Sequence, residues 1–441
     1  MNGSTLVVGG GLAGLTAAFR VARGGGDVAL LESSRRAGGV IRTEERNGYL
    51  LEAGPNTVRL TAPLRALIDE LGLSGEVLLA DVRLPRYVDF GGRLHAVPMS
   101  PGSLARTRLL SAAGKLRLLS EPFRPRGGGG DESVREFFAR RLGPEVADRL
   151  VEPFVGGVFA GSAARLSVSA AFPALARFER DHGSLLAGAI AERRAGRGAP
   201  AAPRGLLSFR RGLETLPRAL ARSLGGAFRP ETGVRALTPE GGRWGVETGS
   251  GRLEAERVIL AVPAWAAAPL VAPFDPEAAA ALAAIPHPPL AVLHLSWPEA
   301  ALRRPLRGFG HLVVPDAARR ILGAVWSSSL FPGRAPGDRV LLTVFLGGTR
   351  DPGAPELADA ALVSLAARDL EAEGLVAGEP LLVLLTRFER AIPQYELGHG
   401  DRLRALAEAE ARWPGLRFAG NYRGGVSVGD VVEAAGAAAT Y

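Results

Sequence analysis

The sequence predicts an α/β chain, α+β overall, with a discontinuous dinucleotide-binding domain, a mixed-sheet domain and a helical insertion. Three observations carry that expectation. Residues 4–43 read as strand, glycine turn, helix and strand; a helix-rich stretch lies between a glycine run at 126–131 and a loop at 193–204; and short apolar runs of strand length recur beyond residue 208. A chain of 441 residues is long enough for two or three cores. Its 47% hydrophobic and 22% charged residues, with 58 Gly and 32 Pro, describe a folded protein rather than a low-complexity one.

The N-terminal unit carries the sharpest signal. Residues 6–8 form an apolar strand that runs into glycines, a helix extends to Arg23, and residues 28–31 form a second strand. Gly9, Gly11 and Gly14 give the G-x-G-x-x-G spacing of a Rossmann-like unit. There, backbone without Cβ turns tightly, approaches a pyrophosphate and lets helix pack on strand. The helix N-terminus adds free N–H groups and a positive dipole. After 17 intervening residues comes Glu32, where a carboxylate at a strand end can accept hydrogen bonds from ribose hydroxyls. Because the first strand leads directly into the glycines, no secretory leader is read and a cytoplasmic location is expected. The uncharged runs 258–274 and 278–297 each contain three prolines and do not read as membrane spans.

Arg36-Ala37-Gly38-Gly39-Val40-Ile41-Arg42-Thr43 resembles the second glycine signature of flavin oxidases of the monoamine oxidase and protoporphyrinogen oxidase superfamily. The resemblance implies FAD, with Arg36, Gly38 and Gly39 among its contacts. Without a cysteine the attachment is expected to be non-covalent. Val40 stands where the superfamily often has arginine. Glu52-Ala53-Gly54-Pro55-Asn56 is similar to the Glu-x-Gly-Pro element that follows in porphyrinogen oxidases, and it brings Gly54 and Pro55 to the cofactor.

Further along, residues 64–71 have helical spacing. Ala105, Leu109, Ala112, Leu116 and Leu119 predict one helix face over 104–119, flanked by Arg106, Arg108, Lys115 and Arg117. Such a helix suits an anionic membrane surface or a core helix with solvated flanks. Residues 133–142 resume helical periodicity, and 208–220 predict an amphipathic helix. Runs at 234–237, 245–248 and 257–262 read as strands returning to the cofactor domain, and runs at 290–297, 321–327 and 340–346 build a second sheet. The expected division is 1–82 with 206–270 and 413–441 for FAD, 98–200 for the helical insertion, and 83–97 with 271–412 for substrate.

The segments Glu152–Gly161 (EPFVGGVFAG), GFGHLVVP from Gly308, LGAVWSSS from Leu322, LLTVFLGGTR from Leu341 and IPQYELGH from Ile392 resemble oxygen-dependent protoporphyrinogen oxidases over nearly the whole chain. The resemblance implies three two-electron oxidations of protoporphyrinogen IX, with oxygen reduced to hydrogen peroxide. It places Arg86 on a propionate and Phe309, Leu312, Val325 and Phe345 against the macrocycle. It sets the backbone carbonyl of Gly157 toward the pyrrole N–H groups. It adds Val234, Gly420, Val426, Val428 and Asp430 to the flavin contacts, with Gly429 replacing a common asparagine. No side-chain base and no metal are expected. Peripheral contact with the inner face of the cell membrane and a homodimer stay open.

Composition bounds the rivals. The net charge of +8 rests on 53 basic residues, of which only Lys115 is lysine. Gly114-Lys115 lacks the upstream glycine of a Walker A loop. The arginines are scattered and aromatic content is 6%, which argues against a nucleic-acid partner. Coproporphyrinogen III oxidation is the nearest alternative. An amine oxidase is more remote, because that branch usually positions a lysine near the flavin.

Overall fold

A computed structural model describes residues 4–195, 205–316 and 318–440 of the chain. The part of the 193–204 loop beyond residue 195 lies outside the described residues. Strand β1 (Thr5–Val8), helix α1 (Leu12–Arg23) and strand β2 (Val28–Leu31) open the chain, as the glycine spacing predicts. β1 is the centre of a five-stranded parallel sheet, ordered 228–229, β2, β1, 257–260 and 416–418. Three remote stretches of chain thus build one sheet. Both faces are covered, so the central strands are near-continuous apolar runs, residues 6–8, 29–31 and 258–260 being buried. Val7, Leu30 and Ile259 face a core with α1 and helix Thr215–Leu224, while Leu6, Val8, Leu31 and Leu260 face helices Ala264–Val271 and Pro276–Ala283.

A second sheet has seven strands in the order Leu381–Phe388, Leu290–Pro298, Arg339–Gly347, Ile321–Val325, Gly310–Val313, Arg86–Asp89 and Leu94–Ala96. It is mixed because Gly310–Val313 and Arg86–Asp89 run parallel. Alternation along strand Leu290–Pro298 separates its faces. Ala291, Leu293, Leu295 and Trp297 join a core under helix Asp359–Ala372. His294 and Ser296 point to the other face, where Ser296 Oγ bonds Tyr49 Oη at 2.8 Å.

The insertion is helical and has its own core of Leu110, Val134, Phe137, Val151, Val155 and Leu166 among others. Its charged centre is Arg141, fully buried, which donates to Glu121 and to the carbonyls of Arg124 and Gly183. That ties the turn after Glu121 to the body of the insertion. Among the described residues, no helix is long and apolar enough to cross a membrane.

Two expected helices differ. The span 104–119 is two short helices, Pro101–Arg106 and Ala112–Leu119, with Thr107 extended between them. Leu109 and Leu110 turn inward, 0% and 3% exposed, and Ser111 starts the second helix by accepting from Gly114 N–H. Burial of that leucine pair overrides the periodicity. Likewise 208–220 is not one helix: Leu206–Phe209 is a strand paired with 58–59 and 77–79. Gly212, at φ +82°, turns the chain before helix Thr215–Leu224 begins.

Candidate active site

The glycine turn divides its work. A Cβ on Gly14 would lie 1.9 Å from the carbonyl oxygen of Gly9, and one on Gly9 would lie 2.7 Å from that of Ala261. These two glycines let α1 pack onto the sheet. Gly11 is different, since a Cβ there would meet nothing within 4 Å. It is the N-cap of α1, with no side-chain hydrogen bond and no acidic residue in the first turn. The first amides of the helix are therefore open to an anion.

Around that opening the other expected cofactor residues converge. The Glu32 carboxylate accepts from Gly10 N–H at 2.6 Å and Ser34 N–H at 2.7 Å, with lone pairs left for a ribose hydroxyl. Thr232 N–H bonds the Glu32 carbonyl at 2.7 Å, which brings the start of strand Val234–Glu240 to the same end. Gly38 N–H bonds Gly10 O at 2.8 Å, and a Cβ on Gly39 would lie 3.2 Å from Gly11 Cα. Arg36 donates to the carbonyls of Ala37, Gly39 and Ile41, so it braces the second glycine loop from within. Burial is the main influence on its guanidinium and lowers its pKa.

Gly54 is needed for a close approach, because a Cβ there would sit 2.0 Å from Val40 O. Pro55 follows, half-buried. Val40 itself is 56% exposed at the tip of the second glycine loop, an apolar side chain that sequence reasoning did not assign. From the C-terminus come Gly420, Val426 and Val428, then Asp430 in the first turn of helix Val428–Ala439, paired with Arg59 at 3.3 Å. Gly429 packs closely: a Cβ there would meet Thr61 Cγ2 at 2.7 Å. An uncapped helix start, a carboxylate at the strand end and glycine-lined close approaches fit the pyrophosphate and ribose of FAD.

Of the expected substrate residues, Arg86, Leu312, Val325 and Phe345 lie on one face of the seven-stranded sheet, Phe309 stands just before strand Gly310–Val313, and Gly157 is on a helix. Register places Arg86, Gly310, Val325 and Thr343 in one row, and Val88, Leu312, Gly323 and Phe345 in the next. The strands there are otherwise almost wholly buried. Leu312 and Val325 are the half-open positions of their strands, and Phe345 is one of two such positions in Arg339–Gly347. Helix Glu152–Phe159 stands over this floor, and a Cβ on Gly157 would come 2.2 Å from Leu312 Cδ2. Arg86 is exposed at the rim, its guanidinium 5.5 Å from the centre of the Phe309 ring. Lys115 lies in the insertion, where its ammonium donates to Ala105 O at 2.8 Å.

The profile of the flavin containing amine oxidoreductases matches residues 12–441. The chain is 36% identical over 467 residues to chloroplastic protoporphyrinogen oxidase of Oryza sativa subsp. japonica, covering 99% of this chain and 87% of that one. It is 36% identical to the Homo sapiens protoporphyrinogen oxidase, covering 98% and 97%. The chain belongs to the protoporphyrinogen oxidase branch of the flavin containing amine oxidoreductases. A protein of Exiguobacterium sp. 255-15, provisionally named a protoporphyrinogen oxidase, superposes with a TM-score of 0.81 at 26% identity over 99% of this chain and 97% of that one. Reduced UDP-galactopyranose mutase shares the fold at a TM-score of 0.75 and 16% identity, over 99% and 95% of the two chains. As a flavoprotein of this branch, the protein is an oxidase that uses FAD.

Two histidines of this oxidase are buried without charge. Desolvation pushes His294, on the cleft face of the sheet, and His399, beside the C-terminal turn, each down to about 4. A histidine whose folded pKa is depressed contributes stability above its ordinary 6.5 that is lost as pH falls toward 4. Over that window His294→Leu should lose about 3 kcal/mol less stability than the wild type. Denaturant melts at pH 7 and pH 4.5 check this, and parallel acid limbs would refute it.

Proposed function

We propose that the protein oxidises protoporphyrinogen IX to protoporphyrin IX in three two-electron steps, each with one oxygen reduced to hydrogen peroxide. The half-open apolar floor of Leu312, Val325 and Phe345, facing Gly157 with a guanidinium at its rim, carries this reading. When bound, FAD supplies a hydride acceptor at its N5 position. The chain does the rest. Arg86, steadied over Phe309, takes a propionate as a charge-assisted fork. The apolar side chains lie against the flat face of the tetrapyrrole and exclude water. Gly157 sits in the last turn of its helix, where carbonyls lack intrahelical partners, and its missing side chain leaves that backbone open to the pyrrole N–H groups. No side-chain base is assigned.

Arg86→Ala should raise KM by about ten- to a hundredfold with a smaller change in kcat. Following porphyrin fluorescence with reduced tetrapyrroles of two and of four propionates tests both the residue and the substrate. An unchanged KM removes Arg86 from the site, and a preference for four propionates replaces the reading with coproporphyrinogen oxidation.

The division into a discontinuous FAD domain, a helical insertion and a substrate domain is supported by sheet membership and the separate cores, except that helices Pro276–Ala283 and His399–Arg412, expected within the substrate span 271–412, pack in the core of the parallel FAD-side sheet. Peripheral attachment to the inner face of an anionic membrane belongs to the same proposal. Met99, Leu116, Leu119 and Phe123 on the insertion are 72%, 70%, 69% and 87% exposed, in the same stretch of chain as the cations Arg106, Arg108 and Lys115. Arg117, expected to share this role, turns inward to the carbonyls of Arg140 and Arg141. Flotation with anionic liposomes should fall as salt rises. Failure to float at low salt would refute attachment.

A further inference from the structure

The segment 392–399 touches four parts of the molecule. Gln394 donates from its side chain to Phe159 O at 2.7 Å, at the end of the helix that carries Gly157, and from its backbone to Pro286 O at 2.9 Å. Leu166 and Glu396 form an isolated bridge, Ser167 N–H bonds Tyr395 O at 2.8 Å, and Leu397 N–H bonds Arg165 O at 3.0 Å. Asp131 accepts Gly398 N–H at 2.7 Å and also holds Ser167 and Ser169. The segment is thereby stitched to the helical insertion.

Its inner side reaches the C-terminal turn. Tyr395, 3% exposed, donates its hydroxyl to Asn421 O at 2.5 Å, and the same oxygen accepts Gly425 N–H at 3.1 Å. One hydroxyl thus spans the turn from 421 to 425. The ring stacks on His399, with centroids 4.3 Å apart and planes 11° from parallel, and His399 Nε2 bonds Tyr422 O at 3.0 Å. Val426, the next residue of the turn, packs against the core of the insertion.

We propose that Tyr395 is a positioning residue, which sets the shape of the flavin-side turn 420–428 and couples it to the helical insertion. Removing its hydroxyl leaves a part-buried carbonyl and a part-buried N–H without their partner at the two ends of the turn, so the turn opens and FAD is held less firmly. The coupling is reciprocal: FAD seated against the turn steadies the segment, and the segment steadies the insertion through Ser167 and Asp131. The inference rests on FAD occupying the cradle at Gly11 and the turn at Gly425.

The test uses the full chain with FAD as the probe. Tyr395→Phe keeps the ring and its stacking and should weaken FAD binding about tenfold, read by flavin fluorescence quenching. Hydrogen exchange on the wild type should slow at the Ser167 and Gly398 amides when FAD is added, and this protection should vanish in Tyr395→Phe. The wild-type exchange measurement stands without any variant, and absence of protection there overturns the coupling. Equal FAD affinity in wild type and Tyr395→Phe, with Gly11→Ala losing FAD, overturns the role of Tyr395 and leaves the cradle intact. Retention of FAD by Gly11→Ala overturns the cradle itself and the inference with it.

Discussion

Gly11→Ala should give a protein that folds as well as the wild type yet purifies without flavin colour. The α1 N-cap is the one glycine of the fingerprint where a Cβ meets no protein atom within 4 Å, and its φ of −68° suits any residue. Replacing glycine by alanine at an uncapped N-terminus costs the apoprotein about 1 kcal/mol or less. The added methyl occupies the space that a pyrophosphate needs to reach the helix amides. We expect FAD affinity to fall by about a hundredfold or more, a loss of about 3 kcal/mol. Gly14→Ala should behave differently, because its Cβ would lie 1.9 Å from Gly9 O and must displace α1. It should lose both FAD and stability, the latter by about 1–3 kcal/mol. Apoprotein melting and bound flavin per chain separate the two effects; a yellow, fully loaded Gly11→Ala protein would refute the first.

Gly157→Val should retain FAD and stability and lose turnover. Its Cβ would meet the end of the flexible Leu312 side chain, which can move aside into the cleft. The helix position tolerates the change, since glycine is the poorer helix former. Both the new side chain and the displaced Leu312 then intrude where the macrocycle lies. A misplacement of this size costs about a hundredfold in kcat/KM, and Gly157→Ala should cost about tenfold. Steady-state porphyrin formation with flavin content measured on the same sample checks this. Wild-type kcat/KM in Gly157→Val would place the substrate elsewhere.

The cofactor end was legible because its chemistry is local. Gly9, Gly11, Gly14 and Glu32 lie within one βαβ unit, where spacing alone fixes which residues meet. The substrate floor was legible only through resemblance. Arg86 and Gly310 are paired neighbours, but more than two hundred residues separate them and no periodicity reports a parallel pairing at that range. Val40 was read only as a departure from the superfamily's arginine, because an exposed valine in a glycine loop has no pattern signature; the close approach of its carbonyl to Gly54 reveals the fold there. The two broken helices share one cause. Leu110, and the strand residues Leu207 and Phe209, are buried by neighbours distant in sequence, and that burial outweighs local helical spacing. Tyr395 carried no signal beyond the family resemblance of its segment, since its partners are backbone groups.

The most direct test is to mix FAD-reconstituted protein with protoporphyrinogen IX, first without oxygen and then with it. The account predicts one flavin per chain, bleached by the substrate without oxygen. On admitting air, three oxygens should be consumed and three hydrogen peroxides formed for each protoporphyrin IX. A bound flavin that stays oxidised in the presence of protoporphyrinogen IX would contradict it.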